Sequence, residues 1–186
     1  MISVWFWRDD PKRFWEVYRG TFGNKLASNP NVVHRWIAAL ESNHEVTVIT
    51  QNVDGLHTRA GSTKVLEVHG NLASADCLFC GVKVPMSSVI NSDIPRCWRC
   101  KRALKPSVSL FGDGVHHLGE AREAILESDL MIVMGTRLQV GPFNELPYLA
   151  TENPSGPKSL WVNNEPAPED YDFTGQVIAD LTDYCA

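Results

Sequence analysis

Apolar positions recur at helical spacing in two places early in the chain. Phe14, Trp15, Val17 and Tyr18 fit one face of a helix over Pro11–Tyr18, with the proline tolerated in the first turn. Val32, Val33, Trp36, Ile37 and Leu40 repeat three and four residues apart, and Asn29-Pro30 in front predicts a cap and a first-turn proline. Glu45–Thr50 (EVTVIT) reads as a short buried strand, and Leu56–Ala60 as a short helix stopped at Gly61. Val65–His69 (VLEVH) alternates, with Leu66 and Val68 on one face and Glu67 and His69 on the other. Cys77 to Cys100 reads as irregular. Val108–Phe111 predicts a strand, and Leu118, Ala121 and Ile125 form a helical stripe. Asp129–Met134 (DLMIVM) is a continuous apolar run, the pattern of a parallel strand buried on both faces. Ser159–Asn163 and Gln176–Ala179 complete the strands. Strands alternate with helices, so the predicted class is α/β with a largely parallel sheet.

Composition narrows the function. The chain has 186 residues, 44% hydrophobic and 21% charged, enough for a packed core. Its formal net charge is -5, so a general electrostatic grip on nucleic acid is not expected. Arg96, Arg99, Lys101, Arg102 and Lys105 are clustered, and are read as solvating a surface loop and offsetting nearby thiolate charge. No run reaches the length of a membrane-spanning helix, and Met1–Arg8 is too short for a signal-peptide core. The expected location is therefore intracellular, in the cytoplasm. Five cysteines in a reducing compartment point to metal or catalysis rather than disulfides.

Cys77-x2-Cys80 is followed sixteen residues later by Cys97-x2-Cys100. Two such pairs fit a tetrahedral structural zinc site, full with four thiolates and leaving no position for a catalytic water. Cys185 carries no assigned role. Gln51, Asn52 and Asp54 directly follow a strand, where ligands bind in open α/β sheets, although Asn-x-Asp-Gly is also an ordinary turn. His69 ends another strand and precedes Gly70, which lets the chain turn. A histidine titrates near neutrality and suits a general base, yet a lone one at a strand end is more often structural.

Thr50–Leu72, TQNVDGLHTRAGSTKVLEVHGNL, closely resembles the signature of the sirtuins, NAD-dependent protein-lysine deacylases. The cysteine quartet follows in the family's place. Lys105–Asp113 (KPSVSLFGD) resembles the segment ending in Phe-Gly-Glu or Phe-Gly-Asp, Gly135–Val140 the Gly-Thr-Ser-Leu-x-Val loop, and Val162–Glu165 the Asn-x-Glu strand end. The resemblance implies a Rossmann-like sheet flanked by helices over residues 1–76 and 103–186, with a small zinc module, 77–102, inserted in it. It implies that His69 is the catalytic base, acting on a ribose hydroxyl, with Asn52 beside it. Gln51, Asn52 and Asp54 would hold the nicotinamide side of NAD, and Gly135, Thr136, Asn163 and Glu165 the adenosine side. Val108, Phe111 and Gly112 would line the acyl-lysine tunnel and pair with the substrate backbone as an added strand. Cys77, Cys80, Cys97 and Cys100 would hold structural zinc. An acylated-lysine protein or peptide would be the partner, and lysine, nicotinamide and O-acyl-ADP-ribose the products.

The chain also departs from the family pattern. The family's Gly-Ala-Gly loop, which cradles the NAD pyrophosphate at a helix N-terminus, is absent from the sequence. A sheet edge or face is then expected to be exposed, and Val4-Trp5-Phe6-Trp7 to patch it or to pair with a partner. Arg137 stands where the family has serine, to reach a phosphate or ribose or to block them. Tyr18 fits the tyrosine of a Tyr-x-x-Arg pair that reads acidic acyl groups, but Thr21 takes the arginine's place, which favours neutral acyl groups. A non-catalytic binding scaffold and an NAD-dependent ADP-ribosyltransferase are the alternative readings. A zinc-ribbon nucleic-acid binder is a further one.

Overall fold

In the computed structural model, residues 2–23 and 28–185 are described. The chain divides into two compact units. The first comprises Met1–Asn29, Ile49–Arg59 and Glu67–His116, and the second Pro30–Val48, Ala60–Leu66 and His117–Ala186.

The first unit opens with two helices, α1 (Val4–Asp9) and α2 (Pro11–Phe22). Asp10 ends α1 and caps α2, its carboxylate accepting the Arg13 N–H at 3.0 Å, and Pro11 sits in the first turn where its missing N–H costs nothing. Phe14, Trp15 and Tyr18 are fully buried on the predicted face. They pack with Leu72, Met86, Leu104 and Val108 in one hydrophobic core. Trp7 and Trp15 both donate their indole N–H to the Leu104 carbonyl, at 2.9 and 3.2 Å, which ties the helices to the cysteine-bearing segment. That segment is built on a sheet missing from the predicted elements: β3 (Gly70–Asp76) lies between β4 (Lys83–Pro85) and β5 (Lys105–Val108), antiparallel to both. The sequence GNLASAD lacks the β-branched alternation that marks a strand, so its conformation comes from its two partners. The strand expected at Val108–Phe111 ends at Val108, and its hydrogen bonding runs upstream instead. Phe6 and Trp7 of α1 pack on this same core, so the aromatic start is used within its own unit.

The second unit carries the parallel sheet. Strands β6 (Leu130–Met134), β7 (Lys158–Asn163) and β8 (Gly175–Ile178) lie in the order β6-β7-β8, all parallel, within one or two residues of the predicted bounds. Helix α5 (Leu118–Leu126) buries Ala121 and Ile125, as the stripe predicts. Helix α3 (Val32–Leu40) is capped by Asn31 rather than Asn29: Asn31 accepts the His34 N–H and the His34 ring reaches back to the Asn31 N–H. The expectation for β6 is corrected. The strand is not fully buried: Leu130 is 50% exposed and the other four residues are half-buried, and β7 is its only sheet partner among the described residues.

Two short strands, β1 (Val48–Thr50) and β2 (Val65–Glu67), form a third small sheet, and α4 (Leu56–Ala60) lies between them in sequence, followed by Gly61 at φ +111°. The strand expected over Val65–His69 stops at Glu67, but Leu66 and Val68 are both buried as the alternation requires. Helices α6 (Tyr148–Thr151) and α7 (Leu181–Tyr184) are single turns in the second unit.

Candidate functional site

The loop after β1 is held open by its own polar side chains. Thr50 Oγ1 accepts the Asn52 N–H at 3.1 Å, and Asp54 Oδ1 accepts the Leu56 N–H at 3.0 Å, an Asx turn that starts α4. Gly55, at φ +68°, supplies the left-handed residue this turn needs. The Asn52 side chain is exposed and has no hydrogen-bond partner among the described residues. The Val53 carbonyl accepts the Leu72 N–H at 2.8 Å, which pins the loop to the start of β3.

His69 lies against this loop. Its Nδ1 is 3.2 Å from the Gln51 carbonyl. A carbonyl only accepts, so Nδ1 carries the proton and the neutral ring keeps its lone pair on Nε2, the nitrogen that can take a proton. The ring is half-buried, and the His69 carbonyl accepts the Ser109 N–H at 2.8 Å, fixing the backbone behind it. Gly70 has φ +71°, and a Cβ there would overlap the Ser107 carbonyl oxygen, so only glycine allows β3 to approach β5 immediately after the histidine.

The segment resembling the acyl-lysine tunnel lies beyond β5. Val108 is buried in the core, while Phe111 is 63% exposed and Gly112 is exposed. Both backbone groups of Phe111 are engaged: its N–H donates to the Ile2 carbonyl at 3.2 Å, and its carbonyl accepts the Val4 N–H at 3.0 Å. Gly112 keeps its N–H and carbonyl without partners among the described residues, and the Trp5 ring covers the place a Cβ would take. The turn is clamped from inside. Lys105 is buried, its ammonium 2.7 Å from the Asp113 carboxylate and also donating to the Pro106 and Val108 carbonyls. Lys105 therefore does not belong to the solvated basic cluster in which the sequence groups it. Asp113 in turn accepts the Leu110 N–H at 3.0 Å.

In the second unit, a cleft of about 150 Å³ opens at the carboxyl ends of β6 and β7, where ligands bind in open α/β sheets. Thr136, Asn163 and Glu165 all line it, so the loop after β6 and the end of β7, far apart in sequence, are brought together. Asn163 donates its amide to the Thr136 carbonyl at 2.8 Å, and Trp161 donates its indole N–H to the Glu165 carbonyl at 2.8 Å. Gly135, at φ +63°, turns the chain out of β6; a Cβ there would press on Leu181 at 3.1 Å. Arg137, exposed, lines the same cleft.

The four cysteines converge as predicted. Their sulfurs all lie within 4.8 Å of one another, with Cys77–Cys100 at 3.4 Å, Cys80–Cys97 at 3.5 Å and Cys80–Cys100 at 3.8 Å. Four thiolates about 2.3 Å from a central zinc ion sit roughly 3.8 Å apart, so the donor set fits the metal. Both knuckles use one turn. The Gly81 N–H returns to the Cys77 carbonyl and the Lys101 N–H to the Cys97 carbonyl, each at 2.9 Å, with Gly81 at φ +71° and Lys101 at φ +64°. The Cys80 backbone N–H holds the Cys77 thiol down at about 6, and the Cys100 N–H lowers Cys97 in the same way. The sequence does not reveal that Lys101 adopts a left-handed conformation, because only the repeat of the first knuckle dictates it.

Tyr18 is 1% exposed, enclosed by Phe14, Trp15 and Phe22, and its hydroxyl has no partner among the described residues. Burial pushes its phenol well above the ordinary range.

Known proteins resemble the chain over most of its length. The model of the Sir2 family matches residues 1–142. An NAD-dependent protein deacetylase of Chromobacterium violaceum is 42% identical over 187 residues, covering 99% of this chain and 76% of that protein. A solved structure of Sir2 bound to an acetylated peptide superposes with a TM-score of 0.90 at 33% identity, covering 98% of this chain and 79% of that one. A Sir2 complex with a p53 peptide and NAD+ gives 0.89 at 34% identity, covering 98% and 78%. With its Rossmann-like α/β fold, its signature loop beside His69 and its clustered cysteines, the chain belongs to the Sir2 family, the sirtuins.

Proposed function

We propose that this chain is an NAD-dependent protein-lysine deacylase, with a structural zinc ion held by Cys77, Cys80, Cys97 and Cys100. The observation that carries the reading is the His69 ring beside the Gln51 carbonyl, which leaves Nε2 to act as base, in a chain 42% identical to an NAD-dependent protein deacetylase. NAD supplies an electrophilic ribose carbon from which nicotinamide leaves. The residues assigned to it are Gln51, Asn52 and Asp54, with Gly135, Thr136, Asn163 and Glu165.

In this reading Asn52, whose amide has no partner among the described residues, hydrogen-bonds the nicotinamide ribose. Asp54 already caps α4 with one oxygen and offers the other to the ligand. His69 Nε2 takes a proton from a ribose hydroxyl, and the Gln51 carbonyl stabilises the charged ring through Nδ1–H. The substrate backbone adds as a strand at Gly112, since the groups of Phe111 are already paired, while the exposed Phe111 ring flanks the acyl-lysine. Thr136, Asn163 and Glu165 bind the adenosine side from the cleft they line. We place the protein in the cytoplasm: its cysteines are unpaired, as in a reducing compartment, and no described helix is long and apolar enough to cross a membrane.

The test is mass spectrometry of the chain incubated with NAD and an acetyl-lysine peptide. The expected products are free lysine peptide, nicotinamide and O-acetyl-ADP-ribose, with His69→Ala lowering the rate about 10²–10⁴-fold. No product from folded, zinc-loaded protein would replace this reading with that of a binding scaffold, and ADP-ribose found on protein side chains would replace it with a transferase.

A further inference from the structure

The tips of the two zinc knuckles are apolar. Between their ligand cysteines lie Leu78, Phe79 and Trp98, which are 59, 66 and 67% exposed, with Arg99 as the fourth residue. Metal binding makes no demand on these positions, since the sulfurs and the backbone turn complete the knuckle. Exposed apolar groups gathered on one small module mark an interaction surface more often than chance exposure does.

Beside the first knuckle, within the same unit, is a cleft of about 520 Å³. Trp7 and Pro11 of the helical N-terminus form one side of its lining and Phe79 another, with Arg8, Arg96 and Arg102 among them. The Arg102 guanidinium stacks on the Phe79 ring, 4.0 Å from its centroid. Arg8, Arg96, Arg99, Lys101 and Arg102 are all exposed, and none has an ion-pair partner among the described residues. Arg8, Arg96 and Arg102 thus line a hollow that Trp7, Leu78 and Phe79 also line, on a chain whose net charge is -5.

We infer that this face docks a protein partner through an acidic segment carrying one bulky apolar side chain. The hollow is of a size to take the side chain, and the guanidiniums pair with carboxylates, for which their fork geometry is suited. Arginine and aromatic residues are also the groups that dominate binding energy at protein interfaces. A nucleic acid fits less well, because a phosphate chain needs an extended basic track and meets repulsion from the acidic remainder of the molecule. Neither His69 nor any residue of the loop after β1 is among the residues that line this cleft.

The experiment titrates the zinc-loaded full chain into a fluorescein-labelled polyglutamate peptide with one central leucine, followed by anisotropy. Parallel probes replace the leucine by alanine, replace the glutamates by glutamine, or use single-stranded oligothymidylate. Saturable binding of the first peptide is expected, weakened about tenfold by Arg8→Glu and by the double change Arg96→Glu with Arg102→Glu, and comparably by Phe79→Ala or by loss of the leucine. Arg8 lies outside the knuckles and its side chain makes no hydrogen bond or ion pair among the described residues, so Arg8→Glu decides the matter even if the knuckle variants lose zinc. Absence of saturable binding, or binding indifferent to Arg8→Glu or to the glutamine replacement, overturns the proposal. Tighter binding of oligothymidylate than of the peptide overturns it in favour of a nucleic-acid surface.

Discussion

At the scale of single residues, burial decides which polar groups work for stability and which against it. Lys105 and Asp113 form an ion pair 2.7 Å apart, with side chains 9 and 20% exposed, and both also hold backbone groups of the turn that presents Phe111 and Gly112. Removing one partner strands the other charge. Lys105→Met is therefore expected to destabilise the first unit by about 3–5 kcal/mol, read as a lower urea midpoint by tryptophan fluorescence. Tyr18 is the opposite case. Its hydroxyl is buried without a partner, at a desolvation cost that phenylalanine avoids with nearly the same shape. Tyr18→Phe should raise stability by about 1 kcal/mol in the same measurement, and a loss of that size would show that the hydroxyl has a role the packing does not reveal.

Among the elements, the zinc knuckles are the one most dependent on a partner outside the chain. β4 is three residues long, and the knuckle tips Leu78, Phe79 and Trp98 are exposed, so the metal supplies cohesion there that packing does not. Chelation of zinc is expected to unfold this region while leaving the parallel sheet β6-β7-β8 formed, visible as amide exchange confined to residues 77–104. Metal binding also has a definite pH sign. Zinc takes thiolates, and without metal the backbone N–H groups lower Cys77 and Cys97 while burial and the neighbouring thiols raise Cys80 and Cys100, so the ligands release protons when the metal binds. Protons compete more strongly as the pH falls, so zinc affinity should drop as pH is lowered from 7 to 5, measured with a chromogenic zinc indicator. Affinity that rises on acidification would exclude thiolate ligation. β6 shows a different kind of dependence. Its run LMIVM has the composition of a doubly covered strand, yet it sits at a sheet edge with Leu130 half exposed.

For the molecule as a whole, the two compact units each bring together residues far apart in sequence. The first gathers the aromatic start, the loop after β1, His69 and the cysteines; the second gathers Thr136, Asn163 and Glu165 around one cleft. Long apolar patterns were legible along the chain: α2, α3, α5, β6 and β7 fall close to where periodicity places them. β3 and β4 were not, because GNLASAD and KVP have no apolar alternation of their own and take their conformation from cross-strand pairing.

Much of the candidate site's chemistry is determined by the sequence itself. Metal-ligand spacing, the polar loop after a strand and the glycine after His69 are local features, fixed by residue type and the stereochemistry of a few bonds. Tertiary structure decided what local pattern cannot contain. It put the His69 Nδ1 against the Gln51 carbonyl, and so chose the nitrogen left to accept a proton. It buried Lys105 on Asp113 instead of leaving it in the basic cluster, and enclosed Tyr18 among aromatic rings. Each of these depends on which distant group excludes water or supplies a hydrogen-bond partner, and that is a property of the packed chain alone.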